Sequence, residues 1–196
     1  MHPGLFLDRD GTINEELHFI SSPDQLTLIT GSAEAIRQAN HFGFKVVVIS
    51  NQSGVARGFM TEENVRTVNA VLVSMLFNED ASIDGVYYCP HHPEAEDIRY
   101  KKNCDCRKPN TGMLVQAAKE HDIDFRKSFV IGDRIADMKA GNDVGAASIL
   151  VRTGYGAETI ALLPDSDARV EYVAENLLDA VQFVTSKLHQ DKLKVL

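Results

Sequence analysis

Short β-branched apolar runs, each followed by a stretch with helical spacing, constrain this chain's fold more than any other feature. Leu5–Leu7, Val46–Ile49, Val86–Tyr88, Phe129–Ile131 and Ser148–Val151 have the length and composition of strands buried on both faces. Between them, Ser32–Phe42 repeats apolar residues at three and four (Ala35, Ile36, Ala39, Phe42), and Thr111–His121 does the same with Met113, Leu114, Ala117 and Ala118. Thr61–Phe77 opens as a capped helix, with Thr61 as N-cap and Glu62 and Glu63 at the positive end of the dipole. A generic last strand and an amphipathic helix over Glu175–Leu188 close the pattern. Alternation of this kind predicts an α/β protein, a parallel sheet flanked by helices on both faces. The 196 residues suit one domain, expected over 1–189, with 190–196 as a loosely held tail.

Composition removes several classes of function. Twenty Lys and Arg against 28 Asp and Glu give a net charge of −8, which would repel a phosphate backbone, so no nucleic-acid partner is expected. The nearly apolar run Ala70–Phe77 is far too short to span a bilayer, so no membrane role is expected either. Leu5–Leu7 ends at Asp8 without the apolar stretch of a secretion signal. Three Cys cannot all pair with one another, which suggests a reduced, cytoplasmic protein whose thiols have another use.

An open parallel sheet binds its ligands beyond the carboxyl ends of its strands, and the polar residues at those ends are informative. The first strand runs into Asp8-Arg9-Asp10-Gly11-Thr12, where residues two apart in an extended chain share a side. Asp8 and Asp10 would therefore face one site, with Arg9 pointing away, and Gly11 would let the backbone turn. The second strand ends in Ser50-Asn51-Gln52-Ser53, and the fourth in Gly132-Asp133-Arg134, with Asp137 a helical turn later. A long segment, Cys89–Asn110, delivers Arg107-Lys108-Pro109. Acids, a hydroxyl and a Lys at one sheet edge suit Mg²⁺ and a phosphate group.

Cys89–Asn110 has neither strand nor helix periodicity, which marks it as functional or stapled. Cys89, Cys104 and Cys106 with a histidine make a Cys₃His set, a usual closed zinc site. Spacing alone allows either His91 or His92 as the fourth ligand.

Asp8-x-Asp10-Gly11-Thr12, Ser50, Lys108-Pro109 and Gly132-Asp133 with Asp137 resemble the four motifs of the haloacid dehalogenase superfamily. Phe6–Asn14, Ser50–Gly58, Tyr87–Pro93 and Cys104–Pro109 resemble, more narrowly, its heptose-bisphosphate phosphatases, over roughly residues 5–155. The resemblance implies a Rossmann-like fold with a minimal cap, Asp8 as the nucleophile that carries an aspartyl-phosphate, and Asp10 as general acid and base. It also implies Mg²⁺ on Asp8, the Asp10 carbonyl and Asp133, and Ser50 and Lys108 on the phosphoryl oxygens. Asp137 would orient the metal shell. For Asp10 to act as an acid, burial and a neighbouring carboxylate would have to raise its pKa. The zinc set implied is Cys89, His91, Cys104 and Cys106, with a structural role.

No large inserted cap separates the motifs, so the site should be walled by the loops Glu15–Phe19, Gln52–Gly58 and Cys89–Lys108. The resemblance places substrate contacts on Glu16, Leu17, His18 and Phe19, on Ser50, Asn51, Gln52 and Ser53, and on Arg107 and Lys108. Arg107 could pair bidentately with a second phosphate, with Arg134 and Arg57 as further candidates. The implied reaction is removal of the 7-phosphate of D-glycero-D-manno-heptose 1,7-bisphosphate in activated-heptose synthesis for surface glycans, by a monomer. Alternatives are histidinol-phosphate hydrolysis in histidine synthesis, or an idle zinc-loop binding module; the preferred C1 anomer is left open.

Overall fold

The protein is described here by a computed structural model covering residues 1–194, with side chains as far as Leu188. Each apolar run forms a strand. β1 is Gly4–Leu7, β2 Lys45–Asn51, β3 Gly85–Cys89, β4 Phe129–Gly132 and β5 Ala147–Val151, and a three-residue β6 follows at Tyr172–Ala174. Helices α1 (Ser32–His41), α2 (Glu62–Phe77), α3 (Gly112–Glu120), α4 (Ile135–Val144), α5 (Gly156–Leu162) and α6 (Leu177–Lys194) fill the intervals. The predicted cap of α2 is present: Thr61 Oγ1 accepts from Asn64 N at 3.1 Å, and Asn64 Oδ1 accepts from Thr61 N at 2.8 Å. α6 runs to Lys194, so the backbone over 190–194 is helical; residues 195–196 of the expected tail lie outside the described part.

The six strands form one sheet in the order β3-β2-β1-β4-β5-β6, parallel throughout. Period-two alternation divides its side chains between two apolar layers. Leu5, Leu7, Val46, Val48 and Ile131 pack with α1, α2 and α6 through Ile36, Leu72, Val181 and their neighbours. Phe6, Val47, Ile49 and Val130 pack on the other side with Met113, Leu114 and Ala117 of α3 and Ala140 of α4. Burial on both faces explains why these strands read as unbroken apolar runs.

β1 lies between β2 and β4, so the crossovers diverge from it to the two sides of the sheet. That reversal of strand order opens a crevice above its carboxyl end. Among the described residues no helix is long and apolar enough to cross a membrane.

Candidate active site

Strand pairing of β1 ends at Leu7, and Asp8 keeps one further bond, from its N–H to Ile131 O at 2.9 Å. The chain then curls tightly: Arg9 O accepts from the N–H groups of Thr12, Ile13 and Asn14 at 3.3, 2.8 and 3.2 Å. Gly11 occupies the left-handed region at φ +78°, and a Cβ there would fall 2.4 Å from Asp133 Oδ2. Only glycine satisfies both conditions. Thr153, in the turn after β5, fastens the curl by donating from Oγ1 to Gly11 O at 2.6 Å.

Beneath this turn lies a buried cluster of charges. Lys108 Nζ donates to Asp8 Oδ1 at 2.8 Å and to Ile49 O at 2.7 Å, and forms an ion pair with Asp137 Oδ1 at 2.6 Å. Asn51 fixes the lysine's backbone from both sides, its Oδ1 accepting from Lys108 N and its Nδ2 donating to Lys108 O, each at 3.0 Å. Asp137 thus bonds the lysine, a partner the sequence did not suggest for it. Burial works against the Lys108 ammonium, but Asp137 and Asp8 outweigh it and carry its pKa above the ordinary value. Burial pushes Asp8 up to about 7 despite Lys108, and burial with repulsion from Asp8 and Asp137 pushes Asp133 up to about 8. Asp133 Oδ2 accepts from Tyr155 N at 2.7 Å, whereas its buried Oδ1 has no hydrogen-bond partner. Carboxylate oxygens of Asp8, Asp133 and Asp137 converge within 4.8 Å of one another. A hard divalent cation fits this set, supplying a partner to the orphaned oxygen and relieving the repulsion.

Asp10 departs from expectation. Arg9 does not point away: fully buried, it forks onto the Asp10 carboxylate, Nε to Oδ1 at 3.0 Å and Nη2 to Oδ2 at 2.8 Å. The two-residue period stops applying because the chain leaves the sheet after Asp8 and curls at Arg9. Asn14 Nδ2 adds a bond to Oδ1 at 2.9 Å and Gln52 Nε2 one to Oδ2 at 2.8 Å. Burial would raise the pKa of Asp10, but the Arg9 charge and the bonds from Arg9, Asn14 and Gln52 prevail and lower it. The upward shift expected for Asp10 falls instead on Asp8 and Asp133.

The sulfurs of Cys89, Cys104 and Cys106 and Nδ1 of His91 form a second convergent group, with neighbours 2.9–3.5 Å apart. The thiols are free, and burial pushes that of Cys89 up. Three soft sulfurs and an imidazole nitrogen meeting at one point fit a tetrahedral zinc ion. His92 is elsewhere, its Nε2 3.2 Å from Arg57 Nη2. Arg107 Nη1 donates to His91 O at 3.3 Å, joining this group to the cavity rim.

A cavity of about 430 Å³ opens above Asp8 and Asp10. Its walls include Glu16, His18, Phe19, Ser50, Asn51, Gln52, Ser53, Arg57, Arg107, Lys108 and Arg134, as the sequence suggested. Leu17 is the exception: it does not line the cavity, and half of it is exposed. Ser50 Oγ accepts from Gln52 Nε2 at 2.8 Å, which leaves its own O–H free to donate. Tyr155 was not anticipated. Its N–H holds Asp133, its ring carries the Arg134 guanidinium 3.7 Å from the centroid, and its hydroxyl meets His18 Nδ1 at 2.6 Å. The available signal was the Gly154-Tyr155-Gly156 turn directly after a strand.

A HAD-hydrolase-like family model matches residues 105–180. The D-glycero-beta-D-manno-heptose-1,7-bisphosphate 7-phosphatase of Haemophilus influenzae is 38% identical over 182 residues, covering 91% of this chain and 95% of its own. The protein of the same name from Photorhabdus laumondii is 43% identical over 161 residues, with coverages of 81% and 85%. Among solved structures, D,D-heptose 1,7-bisphosphate phosphatase from B. bronchiseptica, complexed with magnesium and phosphate, matches at a TM-score of 0.83 and 30% identity. The match covers 94% of this chain and 99% of that one.

Proposed function

This chain belongs to the D-glycero-beta-D-manno-heptose-1,7-bisphosphate 7-phosphatase family of HAD-like hydrolases, and from that membership we propose the reaction and the part each residue plays in it. It hydrolyses the 7-phosphate of D-glycero-β-D-manno-heptose 1,7-bisphosphate to the 1-phosphate. The observation that carries this reading is Lys108 bridging Asp8 and Asp137 at the floor of a cavity whose walls carry Arg57, Arg107 and Arg134. One end of the cavity suits chemistry at phosphorus, and the arginines suit a second anion.

Asp8 attacks phosphorus and takes the phosphoryl group as the bond to the sugar oxygen breaks. Arg9, Asn14 and Gln52 favour Asp10 as a carboxylate in the free protein, and where substrate displaces Gln52 it takes up a solvent proton. It gives that proton to the sugar oxygen, then accepts one from the water that cleaves the aspartyl-phosphate. Lys108 holds Asp8 in place before substrate arrives, and a phosphoryl oxygen then replaces one of its three partners. Ser50 donates its free O–H to another phosphoryl oxygen. Asp8, Asp133 and the Asp10 carbonyl would hold Mg²⁺, which supplies charge neutralisation for the transferring group. Cys89, His91, Cys104 and Cys106 would hold Zn²⁺, which supplies a structural cross-link and leaves no open position for water. Thiolates used as ligands suit a reducing compartment, so we place the protein in the cytoplasm, acting as a monomer on a small sugar bisphosphate.

The test is phosphate release with Mg²⁺ from the α and β anomers of the heptose bisphosphate, beside histidinol phosphate. Preference for the β anomer supports the reading. Faster turnover of histidinol phosphate keeps the mechanism and replaces the substrate. Full biological function of Asp8→Asn would leave only a binding module.

A further inference from the structure

An asparagine occupies a position on α2 that the apolar pattern reserves for the core. Val65, Val68, Asn69, Leu72 and Leu76 form the buried stripe of this helix. A buried amide is costly unless it is bonded. Asn69 Oδ1 accepts from Arg9 Nη1 at 2.8 Å, and Arg9 is itself wholly buried. The guanidinium therefore bridges α2 to the Asp10 carboxylate, with one arm on the helix and a two-pronged fork on the acid.

The fork does more than neutralise charge. A carboxylate offers about four lone-pair sites, and those of Asp10 are all used: Oδ1 by Arg9 and Asn14, Oδ2 by Arg9 and Gln52. Arg9 and Asn14 are fully buried and lie outside the cavity wall, whereas Gln52 lines it. The site capped by Gln52 is accordingly the one a substrate can reach. Rigid, planar and bidentate, Arg9 sets the plane of the carboxylate and so aims that site into the cavity.

We propose that Arg9, anchored by Asn69, is a positioning residue that aims Asp10 at the leaving-group oxygen. The proposal rests on the phosphatase reading, in which Asp10 delivers the proton that a departing alkoxide needs. It makes a prediction that a merely structural role does not. The value of kcat/KM reports steps up to formation of the aspartyl-phosphate, and an aryl phosphate such as p-nitrophenyl phosphate has a leaving group that departs without protonation. Misaiming Asp10 should thus damage turnover of alkyl phosphates and spare the aryl phosphate.

The experiment measures kcat/KM for the heptose bisphosphate and for p-nitrophenyl phosphate in the Mg²⁺-supplemented full chain and in Arg9→Lys, which keeps the charge and loses the fork. A drop of about a hundredfold on the sugar phosphate, within the range of general acid catalysis, is expected beside a drop of less than about threefold on the aryl phosphate. Asn69→Leu restores the apolar stripe, carries the test if Arg9→Lys fails to fold, and should show the same selectivity at about a tenfold loss. Equal losses on the two substrates, or no loss on the sugar phosphate, overturn the proposal. If the wild type instead prefers histidinol phosphate, that alkyl phosphate takes the sugar's place in the comparison. The substrate reading then fails while the role of Arg9 is still decided.

Discussion

Gly11 and Lys108 set the catalytic floor by opposite means, one by lacking a side chain and the other by burying a charged one. Gly11→Ala would bring a methyl to within 2.4 Å of Asp133 Oδ2 at a φ of +78°. The backbone alone costs about 1–2 kcal/mol. Displacement of Asp133 should weaken Mg²⁺ binding at least about tenfold, given how strongly a ligand's placement sets affinity; titration calorimetry measures it. Lys108→Met removes an ammonium from between two carboxylates, Asp8 and Asp137. Breaking a buried pair costs about 3–5 kcal/mol, so the melting temperature should fall, and added Mg²⁺ should recover part of the loss while activity stays lost. The convergence of Asp8, Ser50 and Asp133 was legible, because each lies at or just past the carboxyl end of a strand in a parallel sheet. The direction of Arg9 was not, because it depends on a curl that begins at Arg9 itself, where the extended-chain period no longer holds. Tyr155 was missed because its bond to Asp133 is made by a backbone N–H, so that only the glycines on either side of it marked the turn.

At the scale of elements, the segment Cys89–Asn110 is held near both ends by its sulfur cluster and in between by a tyrosine. Its sulfurs and His91 converge on one point, and Tyr100 donates to Glu62 Oε1 of α2 at 3.0 Å while Tyr88 of β3 donates to Oε2 at 2.9 Å. Phe19, Tyr88 and Tyr100 pack around Val55, Met60 and Val65, a small apolar cluster outside the main layers. Metal analysis should find one zinc per chain. Stripping it with a strong chelator should raise KM for the bisphosphate several-fold, because Cys106 adjoins Arg107 and Lys108, and should admit trypsin at the exposed Lys101 and Lys102. The sheet should still melt cooperatively. Simultaneous loss of the loop and the sheet would show that the metal supports the whole domain. Most strands and helices were legible here because double-sided burial writes itself as apolar runs. β6 and α5 were not located, because three and seven partly exposed residues leave too short a pattern, and α4 was marked only by Asp137 a turn after β4.

The whole molecule depends on β1. Phe6 is fully buried, with its ring stacked 5.7 Å from that of Phe125 in the layer shared with α3 and α4. Phe6→Ala should cost about 3–5 kcal/mol, measured by urea unfolding, and should shift the midpoint while leaving the transition single. Leu5 and Leu7 face the opposite layer, so the same four-residue strand fastens both halves of the core. The strand order has a further consequence for synthesis. Asp8 follows the first strand, yet β1 gains its second neighbour only when β4 is made, and Asp133 meets Tyr155 later still. The surroundings of Asp8 are thus completed long after Asp8 itself has been made. A nascent chain released before about residue 155 should hold the acidic motif without a folded centre around it, because the non-local strand pairs must close before they stabilise anything.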